Sequence, residues 1–408
     1  MRQGALLVLL LAPLPVALSG QEVRVQEVLC AFDRSVAPIK PRLPLATLQA
    51  NARDDSNDAV NHYELALGYW SQQRLPEAEK SLRVALSLEP HYPQVLLALA
   101  HLPYACRPFL WARAVTGQAP PEWRPQLEEA DREGRLAFLL DPLVDPRIMG
   151  ATVPQEISFL NVGKKENRLA IDLLGGIYAF AGGQFDWAQT NFAAYVKEVD
   201  GADHPERVPG VVLWYRGLTY AHQNHFPEAI VDIDSLLQRA LRREAGDSLT
   251  VPISRANELR YVLAVLYDRA GQAEPAAALY QEAAVNDLGL FPAHSQLARL
   301  AGTRGDWETA VAERRRAIDA NPDDPVLQLE LGITLLKAER PGEALAPLAQ
   351  AQEGMPRNYR VAYYQGVAAA GAGDVAAARQ AYQRFLALVP SRFGAQIEEV
   401  QQRLAQLH

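Results

Sequence analysis

The sequence predicts an all-α chain of stacked helical hairpins, and three observations predict it. Alanine, leucine and arginine are abundant while runs of β-branched residues are few, which favours helix. A set of small, apolar and proline positions recurs every 34 residues. Within each period, apolar residues fall three and four apart, giving each helix one stripe to bury.

The period is clearest in four gapless blocks that start at residues 257, 291, 325 and 359. Ala276, Ala310, Ala344 and Ala378 stand in register, as do Leu263, Leu297 and Leu331. So do Ala264, Ala298, Gly332 and Gly366, then Gly271, Gly305 and Gly373, then Ala283, Ala317 and Ala351, and finally Pro322, Pro356 and Pro390. Each class has a physical reason. Two antiparallel helices joined by a tight turn need small residues where their axes approach. Gly305-Asp306 supplies a turn residue that tolerates positive φ and an N-cap for the next helix. Pro322 has no amide hydrogen and disfavours helix in the residue before it, so the second helix is expected to stop at Asn321.

Earlier blocks keep the frame. Leu65-Ala66, Tyr69, Ala78, Leu82, Ala85 and Pro90 form one. Gly176, Gly183, Phe185, Ala188 and Phe192 form a second, and Gly217, Tyr220, Phe226, Ala229 and Ile233 a third. Between residues 96 and 165 prolines break the pattern, and only Ala130, Ala137 and Pro142 hint at a second helix in frame. On these positions the chain resembles the tetratricopeptide repeat family. The resemblance implies a right-handed α-solenoid of helix-turn-helix repeats over 59–392, with seven clear repeats and a degenerate repeat or insertion at 96–165. Residues 393–408, FGAQIEEVQQRLAQLH, are expected to form an amphipathic capping helix.

The termini differ. Residues 1–20 carry Arg2, the apolar run Ala5–Leu18 and the small-residue site Ala17-Leu18-Ser19, the layout of a secretory signal peptide. The run is too short for a bilayer core of ~30 Å. The expectation is export to a periplasmic or secreted location, with no transmembrane segment after signal removal. Residues 21–58 are proline-rich and polar and are expected to be an extended linker. Export would also permit a Cys30–Cys106 disulfide.

The chain has 408 residues, 49% hydrophobic and 22% charged, enough for a large core. A net charge of −8 and a pI near 5.6 lack the basic stripe that nucleic acid needs. Gly163-Lys164 fails the phosphate-loop pattern at 158 and 165. His222 and His225 straddle a helix end and its turn with no third ligand in sight. Arg314-Arg315-Arg316 and the acids at Glu128, Glu129, Asp131 and Glu133 read as solvated helix faces. No nucleophile–base arrangement and no cofactor fingerprint is present, so the chain is not read as an enzyme.

In tetratricopeptide proteins the first helices line a concave groove for peptides or partner helices. By that resemblance the groove here is Tyr63, Leu67 and Trp70, then Leu173, Ile177 and Phe180, then Trp214, Leu218 and His222. Tyr261, Val265 and Arg269, then Arg299, then Leu329, Ile333 and Lys337, and finally Arg360, Tyr363 and Val367 continue it. A protein or peptide partner is expected there, with the alternative that some of these side chains touch the adjacent repeat or the 96–165 insertion instead. The alternatives are a carbohydrate- or lipid-handling module using Trp111 and Trp123, or an enzyme housed in that insertion.

Overall fold

The computed structural model describes residues 41–105, 120–147, 165–244 and 256–407. Among them are eighteen α-helices and no strand. Residues 1–20, expected to be a signal peptide, and Cys30, Cys106 and Trp111 lie outside the described residues.

Helix α1 (Leu45–Asp54) precedes eight helical hairpins. These pair α2 (Ala59–Ser71) with α3 (Leu75–Leu88), α4 (Pro93–His101) with α5 (Arg124–Leu140), and α6 (Lys165–Ala181) with α7 (Phe185–Glu198). Next come α8 (Gly210–His222) with α9 (Phe226–Glu244), α10 (Ala256–Arg269) with α11 (Ala273–Asn286), and α12 (Phe291–Thr303) with α13 (Trp307–Ala320). The last two are α14 (Pro325–Lys337) with α15 (Pro341–Gly354) and α16 (Tyr359–Gly371) with α17 (Val375–Leu388). Helix α18 (Gly394–Gln406) packs on α17 and covers the end of the array, burying Val400.

The frame read from sequence places these helices closely. Ala78, Ala188, Ala229, Ala276, Ala310, Ala344 and Ala378 are all fully buried at the hairpin crossings. At the facing position, Gly217 sits against Ile233 and Gly332 against Leu348, where a Cβ would collide. The turn residue has positive φ in seven hairpins: Gln73, Gly183, Asn224, Gly271, Gly305, Glu339 and Gly373. Asp306 caps α13 by accepting the Thr309 amide at 3.1 Å, and α13 ends at Ala320 with Asn321 following.

Two expectations are corrected. Residues 45–54 are helical where a linker was expected, because Leu45, Leu48 and Ala52 form a stripe that packs on α2 beside Gly68. Arg314 is not on a solvated face. It occupies the facing position held by Tyr280, Leu348 and Tyr382 in neighbouring hairpins, is half-buried with its side chain only 13% exposed, and pairs with Glu330. Arg315 and Arg316 do face solvent.

The degenerate stretch contains a real hairpin. Helix α5 packs on α4 through Ala130 and Ala137, as the two in-frame alanines suggest. Elsewhere each second helix stacks on the next first helix; among the described residues α5 does not stack on α6 in this way. The first two hairpins instead fold back against the inner side of the other six.

Candidate partner-binding groove

The inner side of the six-hairpin stack is built from α6, α8, α10, α12 and α14, and one segment of the chain lies along it. Phe138 meets Trp214 of α8 with ring centroids 5.4 Å apart, and Leu143 joins the same core. Leu139 packs in the core of Tyr261 and Ala264 from α10. Leu136 and Leu140 reach Phe291 of α12 and Leu327 of α14 while also closing the core of α2–α4. Charges follow the same line. Arg135 pairs with Glu258 at 3.1 Å, and Asp141 lies 3.7 Å from Arg269. Arg147 lies over the turn at Gly183 and holds Asp145 in a forked pair.

A second seam joins loop ends. Asp55 accepts from the Ser391 amide at 2.8 Å, and Asp58 pairs with Arg392 at 3.0 Å. Arg357 donates to the Ser56 carbonyl at 2.8 Å and to Asn57 at 2.9 Å. Asn358 donates to the Leu88 carbonyl at 2.9 Å, and Arg360 lies 3.7 Å from Glu89. His91 meets Asp324 at 2.7 Å. Asp58, Asp324 and Asn358 are also the N-caps of α2, α14 and α16. Three helix starts are thus tied to the closure.

This arrangement decides where the predicted groove residues stand. Trp214 is 6% exposed, Phe180 3% and Tyr261 0%, and Leu218, Val265 and Leu329 are buried with them. They were expected to be open to a partner. In the folded chain they are covered, Trp214 and Tyr261 directly by residues 138 and 139. Leu173 and Ile177 are half-buried beside this core, and His222 stacks on Phe185 at 4.5 Å. Burial pushes the His222 imidazole down, against the pull of the Asp145 and Asp141 carboxylates. Tyr63, Leu67 and Trp70 belong to the separate core of α2–α4, where Tyr63 packs on Tyr92 and Val144 closes the group. Burial pushes the Tyr63 hydroxyl up.

Arg269, Arg299 and Lys337 are exposed. Arg299 bonds Gln296 and Asp268, which ties α12 to α10. Tyr363 is half-buried, and its hydroxyl donates to Glu399 of the capping helix at 3.0 Å and is raised to about 12, by burial first and then by that carboxylate. Ile333 and Val367 are half-buried. The covering residues 135–147 were not predicted as part of the site. Their signal is present in sequence, since Leu136–Leu140 is apolar all round, and a helix of that kind needs cover on both sides.

A cleft of about 300 Å³ opens between α3, α4 and α5, lined partly by Trp123. Its carboxylates Glu79, Glu129 and Glu133 converge on Arg83. Burial raises the Glu133 carboxyl, and the Arg83 bond opposes it. Among the described residues no three His, Cys, Asp or Glu side chains gather to hold a metal.

The repeat frame also matches a known family model. A tetratricopeptide repeat model matches residues 295–354 and again 329–392. Residues 295–392 of the chain are tetratricopeptide repeats. Among solved structures it is similar to the C-terminal part of a TPR repeat-containing protein from Cytophaga hutchinsonii, at 16% identity and a TM-score of 0.40 over 50% of this chain and 78% of that one. A tetratricopeptide repeat protein from Parabacteroides merdae aligns at 13% identity and a TM-score of 0.36, covering 85% of this chain and 97% of that one. YrrB, a TPR protein described as having an unusual peptide-binding site, aligns at 15% identity and 0.35 over 49% and 91%. No curated protein matches the sequence. Among the described residues, no helix is long and apolar enough to cross a membrane.

Proposed function

We propose that this protein is an exported scaffold that holds a protein or peptide partner on the inner side of its repeats, in envelope assembly, secretion or polysaccharide export. The carrying observation is the row of exposed cations on that side, Arg269, Arg299 and Lys337, one from each of three successive first helices. Arginine at such positions is a favoured recognition residue, and a row of cations suits an acidic partner segment whose docking weakens with salt. Export rests on the character of residues 1–20.

A photo-crosslinking residue at position 337 tests the docking face, with Glu353 on a second helix as control. Adducts to a discrete protein from position 337 and none from 353 are expected. Adducts only from 353 overturn the assignment of the face. N-terminal sequencing of the mature protein tests export: a start just after residue 19 or 20 is expected, and an intact Met1 refutes it.

A further inference from the structure

We infer that the inner groove of residues 165–388 is kept closed by residues 135–147 of the same chain, acting as a built-in ligand. The partner it admits carries the same chemistry, a hydrophobic helical turn followed by acidic residues. This rests on the docking face proposed above and adds what occupies it and what displaces the occupant.

Three observations carry it. First, one short segment meets apolar residues from four repeats. Phe138 lies on Trp214, Leu139 by Tyr261, and Leu136 and Leu140 by Phe291 and Leu327. Second, the segment is matched in charge at both ends of its apolar turn, with Arg135 paired to Glu258 and Asp141 lying 3.7 Å from exposed Arg269. Third, the fold-back breaks the repeat array between α5 and α6 and is fastened at its far side by polar contacts. Exposed contacts such as those of Arg357 with Ser56 and Asn57 contribute little each, whereas Arg392 reaches the buried Asp58, so these two arginines are the seam's outer fastening. The attached segment competes at an effective concentration on the order of millimolar. A free peptide with the same contacts therefore meets an occupied groove until the seam is loosened.

The test uses the full chain and a fluorescent peptide of sequence EGRLAFLLDPLVDPR, residues 133–147. The seam is loosened by Arg357→Glu with Arg392→Glu, at solvent-facing positions. Small-angle scattering reports opening, and fluorescence anisotropy reports binding. The double variant is expected to have a larger radius of gyration and to bind the peptide at least tenfold more tightly than the parent. Adding Arg269→Glu is expected to cut that gain several-fold, while leaving the expanded radius. An expanded variant that does not bind the peptide overturns the built-in ligand. A variant that stays as compact as the parent overturns the polar fastening. If the peptide binds but crosslinking at position 337 captures no protein, the docking face is wrong while the self-closure stands.

Discussion

Replacing Gly332 by alanine is a sharp test of the hairpin crossing. Gly332 is on α14 at the point where α15 comes closest, and a Cβ there would lie 2.5 Å from Leu348 Cγ and 2.6 Å from Cδ2. Carbon atoms at rest sit ~3.5–4.0 Å apart, so something must move by about 1 Å. Cγ is the branch point of a fully buried leucine, so no flexible end is available to swing away. Overpacking of this size costs about 2–3 kcal/mol, and alanine's better helix propensity returns about 1, leaving a net loss of ~1–2 kcal/mol. Gly342 provides the control. It is exposed in the first turn of α15, and a Cβ there meets nothing within 4 Å. Gly342→Ala should be neutral or stabilising by about 0.5 kcal/mol. Urea titrations followed by far-ultraviolet circular dichroism compare the two midpoints. Opposite shifts are expected. Equal shifts, or a more stable Gly332→Ala protein, would mean that α14 and α15 do not cross at this glycine.

Ala310→Leu should lower stability by ~1–3 kcal/mol for the same kind of reason, since Ala310 is fully enclosed between α12 and α13. Arg314→Ala should cost about 2 kcal/mol by opening a cavity and stranding Glu330, whereas exposed Arg315→Ala should change stability by less than ~0.5, and like effects from both would return Arg314 to the surface. Gly305→Ala should cost about 1 kcal/mol by strain alone, because φ is +77° and nothing lies near the added methyl; a neutral result in the same titration would refute the left-handed turn. Burial pushes the His101 imidazole down to about 4, while the unfolded chain takes up its proton near 6.5. Stability should therefore fall as pH drops from 6.5 toward 4, and His101→Gln should flatten that part of the dependence.

The period made the second half of the molecule legible, because its contacts are local. Helices α12, α14 and α16 begin at residues 291, 325 and 359, where the blocks begin. A buried alanine at each crossing is required by geometry repeated every 34 residues, so the sequence repeats it. Arg314 was misread because a charged side chain at a core position departs from the frame, and its partner Glu330 lies in the next repeat. The groove was legible only as a set of inner-face positions. Whether Trp214 or Tyr261 meets solvent depends on Phe138 and Leu139, more than 70 residues away, and no local pattern encodes that pairing. Arg269, Arg299 and Lys337 stay exposed, although Asp141 of the covering segment lies 3.7 Å from Arg269.

The seam from Asp55–Ser391 to His91–Asp324 joins residues 336 and 233 positions apart. A repeat array ordinarily assembles from neighbour contacts alone and can begin anywhere. Here the first two hairpins finish their burial only after the last hairpin has been made. At ~5–20 residues per second, roughly 10–50 s separate completion of residue 147 from the appearance of residue 391 on the ribosome. Until residues 214, 261, 291 and 327 have been made in turn, Phe138, Leu139, Leu136 and Leu140 lack their partners from the later hairpins, although their own hairpin is complete. The nascent chain is thus most open to chaperones or misassociation in its first third, and a truncation after α15 should keep this apolar cover while losing the Asp55–Ser391 and Asp58–Arg392 contacts.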